Sequence, residues 1–128
     1  MSGAIRVLLA DDTPAILRFL RFALEEDGRF EVVGEVADGA EAIRVTAAEH
    51  PNAVVLDLGM PVIDGLEAIP EIRRQSPDTK IVVLSGFKAD DKEEQATAAG
   101  ADSYLEKGSA FKELAAVLSM LCLDRSPA

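Results

Sequence analysis

Short apolar runs alternate with amphipathic stretches along the whole chain. Five runs have the length and the branched apolar residues typical of β-strands: residues 5–10, 30–36, 53–57, 80–85 and 103–106. Each run is followed by a stretch with helical signals, and these stretches cover residues 13 to about 27, 39–49, 64 to about 75, 90 or 91 to about 100, and about 109 to 121. The pattern therefore predicts a strand–helix unit repeated five times.

The predicted helix ends carry specific local signals. Thr13 and Pro14 are suited to the N-cap and the first position of the first helix. Asp64 is suited to cap the third helix, and Glu67 occupies the capping-box position. We expect no chemical role for Asp64. Pro70 lies inside that helix and is expected to kink it or to spoil a turn, at a cost of about 3 kcal/mol if the lost hydrogen bond is not replaced.

The strand composition predicts the fold class. Near-continuous runs of Val, Ile and Leu are typical of strands that are buried on both faces, as in a parallel sheet covered by helices. With right-handed crossovers, the chain becomes a doubly wound α/β domain of three layers. A length of 128 residues suits a single domain over 1–128.

Composition narrows the classes of partner. The net charge of −10 argues against direct binding of nucleic acid by this chain, because phosphate contacts need clustered Lys and Arg. Cys122 is the single cysteine, which favours a reducing compartment. We find no signal peptide and no apolar run near the roughly 20 residues of a membrane span, so we expect a cytoplasmic protein without membrane contact.

Polar side chains follow four of the five predicted strands. Asp11 and Asp12 come after the first strand, Asp57 ends the third, Ser85 ends the fourth, and Lys107 follows the fifth. The carboxyl ends of parallel strands share one edge of the sheet, which is where open α/β sheets bind ligands. We therefore expect these five side chains to converge.

The convergence raises an electrostatic problem. Two carboxylates about 4 Å apart repel by about 4 kcal/mol at an effective dielectric constant near 20, and Lys107 cannot neutralise three of them. Either one carboxyl group is protonated or a cation binds there, and oxygen ligands suit Mg²⁺. A metal, a hydroxyl and an ammonium around a carboxylate indicate phosphoryl transfer with a carboxylate nucleophile.

Four segments, LLADDTP, VVLDLGMPVIDG, IVVLSG and AGADSYLEKG, carry a resemblance that covers essentially the whole chain. In this order and at these separations, they resemble the receiver domain of two-component response regulators. The resemblance implies a flavodoxin-like (βα)5 fold, with a five-stranded parallel sheet in the order 2-1-3-4-5 and helices on both faces. It implies phosphorelay signalling by a phosphoacceptor switch that catalyses only its own phosphoryl transfer and dephosphorylation.

The resemblance also implies roles for individual residues at the acceptor. Asp57 would accept a phosphoryl group from a histidine kinase or a histidine phosphotransfer protein. Asp12 would bind Mg²⁺ or Mn²⁺ directly, Asp11 would do so mainly through water, and Asp57 and the backbone carbonyl of Gly59 would complete the protein ligands. Ser85 would hydrogen-bond one phosphoryl oxygen, and Lys107 would pair with another.

The remaining implied roles concern the response. Tyr104 would act as a rotameric switch together with Ser85, although a simply packed aromatic residue is the alternative. The surface of the fourth helix, fifth strand and fifth helix would report the change to a downstream protein or to a missing output domain, and a phosphorylation-dependent homodimer is a further expectation.

Three departures from the family pattern matter: Gly108, Pro70 inside the third helix, and the pair Gly59 and Phe87. Gly108 replaces the usual Pro after Lys107, so we expect a looser loop there that still delivers Lys107. Gly59 provides no side chain beside the acceptor, whereas Phe87 is placed to cover it. We therefore expect Gly59 to increase, and Phe87 to decrease, the access of water to the acyl phosphate.

Other functions remain as alternatives. The chain could be the N-terminal receiver of a DNA-binding regulator, which the stretch FEVVGEVADGAEAI favours, or a receiver-like interaction module that is not phosphorylated. A phosphatase with an Asp nucleophile is disfavoured, because the first strand ends in DDTP instead of DxDx[TV]. His50, beside Pro51 at a predicted helix end, is expected to be a surface residue.

Overall fold

Five parallel strands form one sheet at the centre of the molecule. The computed structural model describes residues 3–86, 89–108 and 111–122. The strands are β1 (Ile5–Ala10), β2 (Phe30–Val36), β3 (Ala53–Leu56), β4 (Lys80–Ser85) and β5 (Ser103–Glu106), in the spatial order β2-β1-β3-β4-β5. The expected doubly wound topology is confirmed, and the strand order reverses between β1 and β3.

Five helices follow the strands in alternation. They are α1 (Pro14–Asp27), α2 (Gly39–Glu49), α3 (Gly65–Gln75), α4 (Ala89–Ala99) and α5 (Phe111–Leu121). Helix α4 begins slightly before the predicted start at Asp90 or Asp91. The predicted start of α5 at Ser109 lies outside the described residues. Strand β3 ends at Leu56, one residue earlier than predicted, so Asp57 belongs to the following loop. None of the described helices is long and apolar enough to cross a membrane.

The sheet separates two apolar cores. Because successive strand residues point to opposite faces, Val7 and Leu9 pack on one side with Leu17, Leu20 and Leu24 of α1. Leu114 and Leu118 of α5 join the same core. Leu8 and Ala10 face the other side, where the core includes Ala42, Ile69 and Ile72 from α2 and α3, together with Ala96 of α4. Burial on both faces explains why the strands read as nearly continuous apolar runs.

Two Asp–Gly pairs begin α2 and α3. The carboxylate of Asp38 accepts a hydrogen bond of 2.8 Å from the backbone N–H of Glu41, and Asp64 accepts one of the same length from Glu67. The predicted capping role of Asp64 is confirmed. The glycine after each Asp permits a close backbone approach: a Cβ atom on Gly39 would lie 1.8 Å from the carbonyl oxygen of Ile63. Helix α2 is thus packed directly on the loop between β3 and α3.

The start of α1 lies where the sequence predicts it. Thr13 occupies the N-cap position, but its side chain makes no capping hydrogen bond. The N–H groups of Ile16 and Leu17 are instead satisfied by the Thr13 carbonyl, at 3.0 and 3.1 Å. The backbone N–H of Thr13 donates to Asp11 Oδ1 at 2.9 Å. The predicted N-cap position of Thr13 and the proline in the first turn are confirmed, although the first bonds come from the Thr13 backbone and not from its side chain.

Pro70 does not end α3, which continues from Gly65 to Gln75. The proline lacks the N–H group that would bond the carbonyl of Leu66, but it lies on the exposed side of the helix. Water can reach that side and bond the freed carbonyl, so the helix tolerates the proline. On the inner side Ala68, Ile69 and Ile72 are fully buried, and their packing holds the helix together.

His50 ends α2 with a backbone φ of 44° and is exposed, as predicted. Its Nδ1 atom lies 3.0 Å from Ser76 Oγ, which lies 2.6 Å from Thr79 Oγ1. The Thr79 hydroxyl donates to the carbonyl of Pro51 at 2.8 Å. This chain of bonds joins the loops at the amino-terminal edge of the sheet, opposite the predicted site.

Replacement of Gly39 by Ala should test the contact between α2 and the β3–α3 loop. The new Cβ would overlap the Ile63 carbonyl, so we expect a loss of about 1–3 kcal/mol in the free energy of unfolding, the usual cost of overpacking. Urea denaturation measures it. Gly3→Ala is the matched control, because a Cβ at Gly3 meets nothing within 4 Å. Equal stability of both variants would contradict the contact.

Candidate functional site

Sheet register brings the first two acidic residues together. Ala10 of β1 pairs with Leu56 of β3, so Asp11 and Asp57 follow as neighbours at the point where the strand order reverses. The backbone N–H of Asp57 donates to the Ala10 carbonyl at 2.9 Å, and that of Asp11 donates to the Val36 carbonyl at 3.0 Å. Both residues are buried, with 2% and 7% of their surface exposed. The strands therefore hold two carboxyl groups in a poorly solvated position.

Lys107 bridges these two carboxylates. Its Nζ atom lies 2.8 Å from Asp11 Oδ2 and 3.3 Å from Asp57 Oδ1. The backbone of Lys107 is fixed by a hydrogen bond of 2.7 Å from its N–H to the Ser85 carbonyl. Three of the residues predicted to converge thus make direct contact, at the edge where they were expected.

Asp12 completes an acidic cluster. Ligand oxygens of Asp11, Asp12 and Asp57 lie within 4.8 Å of one another, and Asp12 is exposed. Hard carboxylate oxygens in this arrangement suit Mg²⁺, which keeps several water ligands. Both oxygens of Asp11 already have partners, Thr13 N–H and Lys107. Asp12 is the exposed member of the cluster, so its carboxylate is open to a cation from solvent.

Burial and the neighbouring charges shift the pKa values of two groups in the site, Asp57 and Lys107. Burial raises the pKa of Asp57, the charge of Asp11 raises it further, and Lys107 and the Gly59 N–H oppose the shift without cancelling it. Burial by itself lowers the pKa of Lys107, but its hydrogen bond to Asp11 and the charges of Asp57 and Asp11 outweigh this effect. The net pKa of Lys107 is raised, so the lysine stays charged. Asp57 therefore binds its proton more tightly than an ordinary aspartate does.

Ser85 and Tyr104 share one face of the sheet. Tyr104 pairs with Val83 across β4 and β5, and Ser85 lies two residues beyond Val83, so all three side chains point the same way. Ser85 is fully buried, whereas Tyr104 is half-buried against the core on that face. This common orientation is the one that the expected switch between Ser85 and Tyr104 requires.

Gly59 leaves open space beside the acceptor. A Cβ atom there would meet only Asp57 Oδ2, at 4.0 Å. An adjoining cavity of about 320 Å³ is lined by Leu58, Gly59, Met60, Asp64, Leu66 and Lys92. The expected cover, Phe87, lies outside the described residues. Leu66 and Lys92 carry no signal in the sequence, because only the packing of α3 and α4 brings them near.

Gly108 has a backbone conformation that suits glycine. Its φ of 92° lies in the left-handed region, and the described residues contain no cis peptide bond. Proline, with φ fixed near −65°, could not adopt this conformation. The departure at Gly108 therefore has a local conformational consequence, while Lys107 still reaches both carboxylates. Residues 109 and 110 of the same loop lie outside the described part of the chain.

Gly65 was missed as a site residue. A Cβ on Gly65 would lie 2.2 Å from the carbonyl oxygen of Asp57, and the Gly65 N–H donates to the Leu58 carbonyl at 3.0 Å. Helix α3 thus begins directly against the backbone of the acceptor. The repeated Asp–Gly pair, at Asp38–Gly39 and Asp64–Gly65, was the signal available in the sequence.

These features coincide with those of a known family. The family model described as "Response regulator receiver domain" matches residues 7–119, and the chain belongs to this family. Receiver domains are parts of two-component systems and act mainly as signalling switches. The flavodoxin-like fold and the resemblance seen in the sequence are both confirmed.

Particular relatives indicate the context in which such domains occur. The chain is 42% identical over 111 residues to the transcriptional regulatory protein LiaR of Bacillus subtilis, covering 87% of this chain and 53% of LiaR. The receiver domain of the putative response regulator NarL from Mycobacterium tuberculosis is similar in structure, with a TM-score of 0.86, 31% identity and coverage of 94% of this chain and 98% of that one. A LuxR-family response regulator from Aurantimonas has the same TM-score at 33% identity, over 94% of this chain and 86% of its own. The chain spans about half the length of the curated relatives it matches first.

Replacement of Asp57 by Asn should stabilise the metal-free protein in a pH-dependent way. The folded state binds the Asp57 proton more tightly than the unfolded chain does. Stability from this carboxyl group therefore falls as the pH rises from its ordinary pKa of 3.8 through the raised pKa. We expect Asp57→Asn to raise the melting temperature at pH 7, with the difference disappearing near pH 3.

Thermal unfolding between pH 3 and pH 8 measures this difference. Asp78→Asn is the matched control, because Asp78 is exposed and lies in the loop before β4, at the far edge of the sheet. A difference for Asp57→Asn that grows toward low pH would contradict the raised pKa.

Proposed function

We propose that the chain accepts a phosphoryl group on Asp57 from a phosphohistidine of a histidine kinase or a histidine phosphotransfer protein, in the presence of Mg²⁺. The observation that carries the proposal is the contact of Lys107 with both Asp11 and Asp57 inside an acidic cluster. A structural ion pair needs one carboxylate for one ammonium. Three carboxylates beside a single lysine repel one another. A bound cation would relieve this repulsion and would in turn attract a phosphoryl group.

In the proposed reaction an oxygen of Asp57 forms a bond to phosphorus, and the bond from phosphorus to the histidine nitrogen breaks. That nitrogen leaves with the electron pair and is protonated from solvent. Mg²⁺ held by Asp12, Asp57 and the Gly59 carbonyl, with Asp11 acting through water, would supply charge stabilisation to the phosphoryl oxygens. Lys107 would move from Asp57 to a phosphoryl oxygen while it keeps its bond to Asp11. Ser85 would donate its hydroxyl to another.

The response would pass through the surface of α4, β5 and α5. Ser85 and Tyr104 lie on one sheet face, so a movement of Ser85 toward the phosphoryl group opens space for Tyr104. Among the described side chains of α4, Ala96 alone is fully buried, so little apolar area holds this helix. Its far end is anchored by Arg73, which donates to the carbonyl of Gly100 at 2.8 Å and to Asp102 at 2.6 Å.

A specific observation favours the output of a transcriptional regulator. The relatives matched first are transcriptional regulators, and this chain covers only about half of their length. We propose that the natural protein is cytoplasmic and continues into a DNA-binding domain. DNA binding would belong to that further segment, because the net charge of this chain is −10. An immunoblot of source cells with antibodies against this chain tests this. A band of about 14 kDa, the size of the chain alone, would contradict it.

Millimolar Mg²⁺ should stabilise the protein through the acidic cluster. We expect a rise of about 3 °C in melting temperature, because a ligand that binds only the folded state shifts the unfolding equilibrium. Asp12→Asn should raise the metal-free melting temperature, since it removes one of three like charges, and should abolish most of the Mg²⁺ effect. Differential scanning fluorimetry with and without EDTA measures both. An equal response of Asp12→Asn and the wild type would count against this cation site.

Acetyl phosphate with Mg²⁺ should label the wild-type protein at Asp57. We expect the mass of the wild type to increase by one phosphoryl group and the mass of Asp57→Asn to stay unchanged, because Asp57 is the proposed acceptor and its carboxylate contacts Lys107. Intact-mass spectrometry and hydroxylamine sensitivity measure the acyl phosphate. Asp78→Asn is the control that should be labelled normally. Undiminished labelling of Asp57→Asn would assign the acceptor to another residue.

A further inference from the structure

Val62 has an unfavourable backbone conformation next to the acceptor. Its φ of 68° lies in the left-handed region, which strongly disfavours β-branched residues. Among the described residues, His50 is the one other non-glycine with positive φ, and its N–H caps α2 by bonding to the Thr46 carbonyl. The Val62 side chain is 78% exposed, so burial does not offset its strain.

The neighbouring residues explain why Val62 accepts this conformation. Leu58 and Met60 are buried on one side of it. On the other side, Gly65 donates to the Leu58 carbonyl at 3.0 Å and Asp64 caps α3. Strained residues persist where the surroundings determine them in this way. We call residues 58–64 the acceptor loop, and its two fixed ends force the turn at Val62.

The strain is local to the acceptor loop. Opening the loop would relax Val62 without disturbing the sheet, because β3 ends at Leu56 and α3 begins at Gly65. The closed loop, however, is the conformation in which the Gly59 N–H bonds the Asp57 carboxylate. A residue that disfavours the closed loop therefore also weakens the arrangement of backbone groups around the acceptor.

We propose that Val62 keeps the acceptor loop poised between this closed conformation and an open one, and that cation binding at Asp57 selects the closed loop. The inference rests on the proposed function for its cation. Val62 is then a positioning residue that lowers the affinity of the site for the cation. Only the closed loop binds the cation, so the apparent affinity falls with the fraction of molecules whose loop is closed. No contact between Val62 and the cation is needed.

Val62→Asn tests the proposal, because Asn tolerates the left-handed region. Val62→Thr is the matched control, since Thr has the same shape and keeps the β-branch. In the wild type, the Gly59 amide should exchange with solvent at least about tenfold faster than the Val55 amide in β3, as local opening requires. Val62→Asn should slow the exchange of Gly59 about tenfold and raise the melting temperature by about 3 °C. It should tighten Mg²⁺ binding about threefold by calorimetry, and Val62→Thr should change none of these.

Two results would overturn the proposal. The first is exchange of Gly59 at the rate of Val55, because the loop would then open only on global unfolding. The second is a Val62→Asn protein with a higher melting temperature but unchanged Gly59 exchange and Mg²⁺ affinity. If the wild type binds no Mg²⁺, the proposed cation site fails and the proposal that a cation closes the loop fails with it. The exchange of Gly59 still decides separately whether Val62 poises the loop, since that measurement needs no metal.

Discussion

Two buried carboxylates share one ammonium group at the carboxyl edge of the sheet, and the rest of the site is arranged around this shortage of positive charge. Lys107 contacts Asp11 more closely than Asp57, and burial raises the pKa of Asp57. Loss of one partner from a buried ion pair typically costs about 3–5 kcal/mol. The contacts with Lys107 therefore hold the cluster together, while the remaining repulsion between the carboxylates favours the binding of a cation.

This balance needs a rigid support. Asp11 and Asp57 follow strands that are buried on both faces, and their backbone N–H groups are held by neighbouring strands. Carboxylates on flexible loops would separate to relieve their repulsion. The two apolar cores prevent such movement, so repulsion remains available to the proposed chemistry. The geometry of the β3–α3 loop depends in turn on close contacts at Gly39 and Gly65.

Element bounds and the convergence of the site could be predicted because both follow from local patterns. A strand with branched apolar residues on both faces has few alternatives, and parallel strands place their ends on one edge. Thr13 shows what local reasoning leaves open: its N-cap position is confirmed, but the bonds at the start of α1 come from its backbone carbonyl and not from its side chain. Pro70 is a second case, because α3 continues through it while the inner side of the helix is fully buried.

The sequence by itself determined the strand–helix alternation, the parallel sheet and the set of polar residues at its edge, because these depend on periodicity and on position relative to strand ends. Only the tertiary structure decided how the charges are shared, which loop backbone touches which helix, and that Val62 has a left-handed backbone. Those features depend on contacts between residues far apart in the chain. Distances of a few tenths of an ångström and the exclusion of water determine their energies, and neither can be read from residue order.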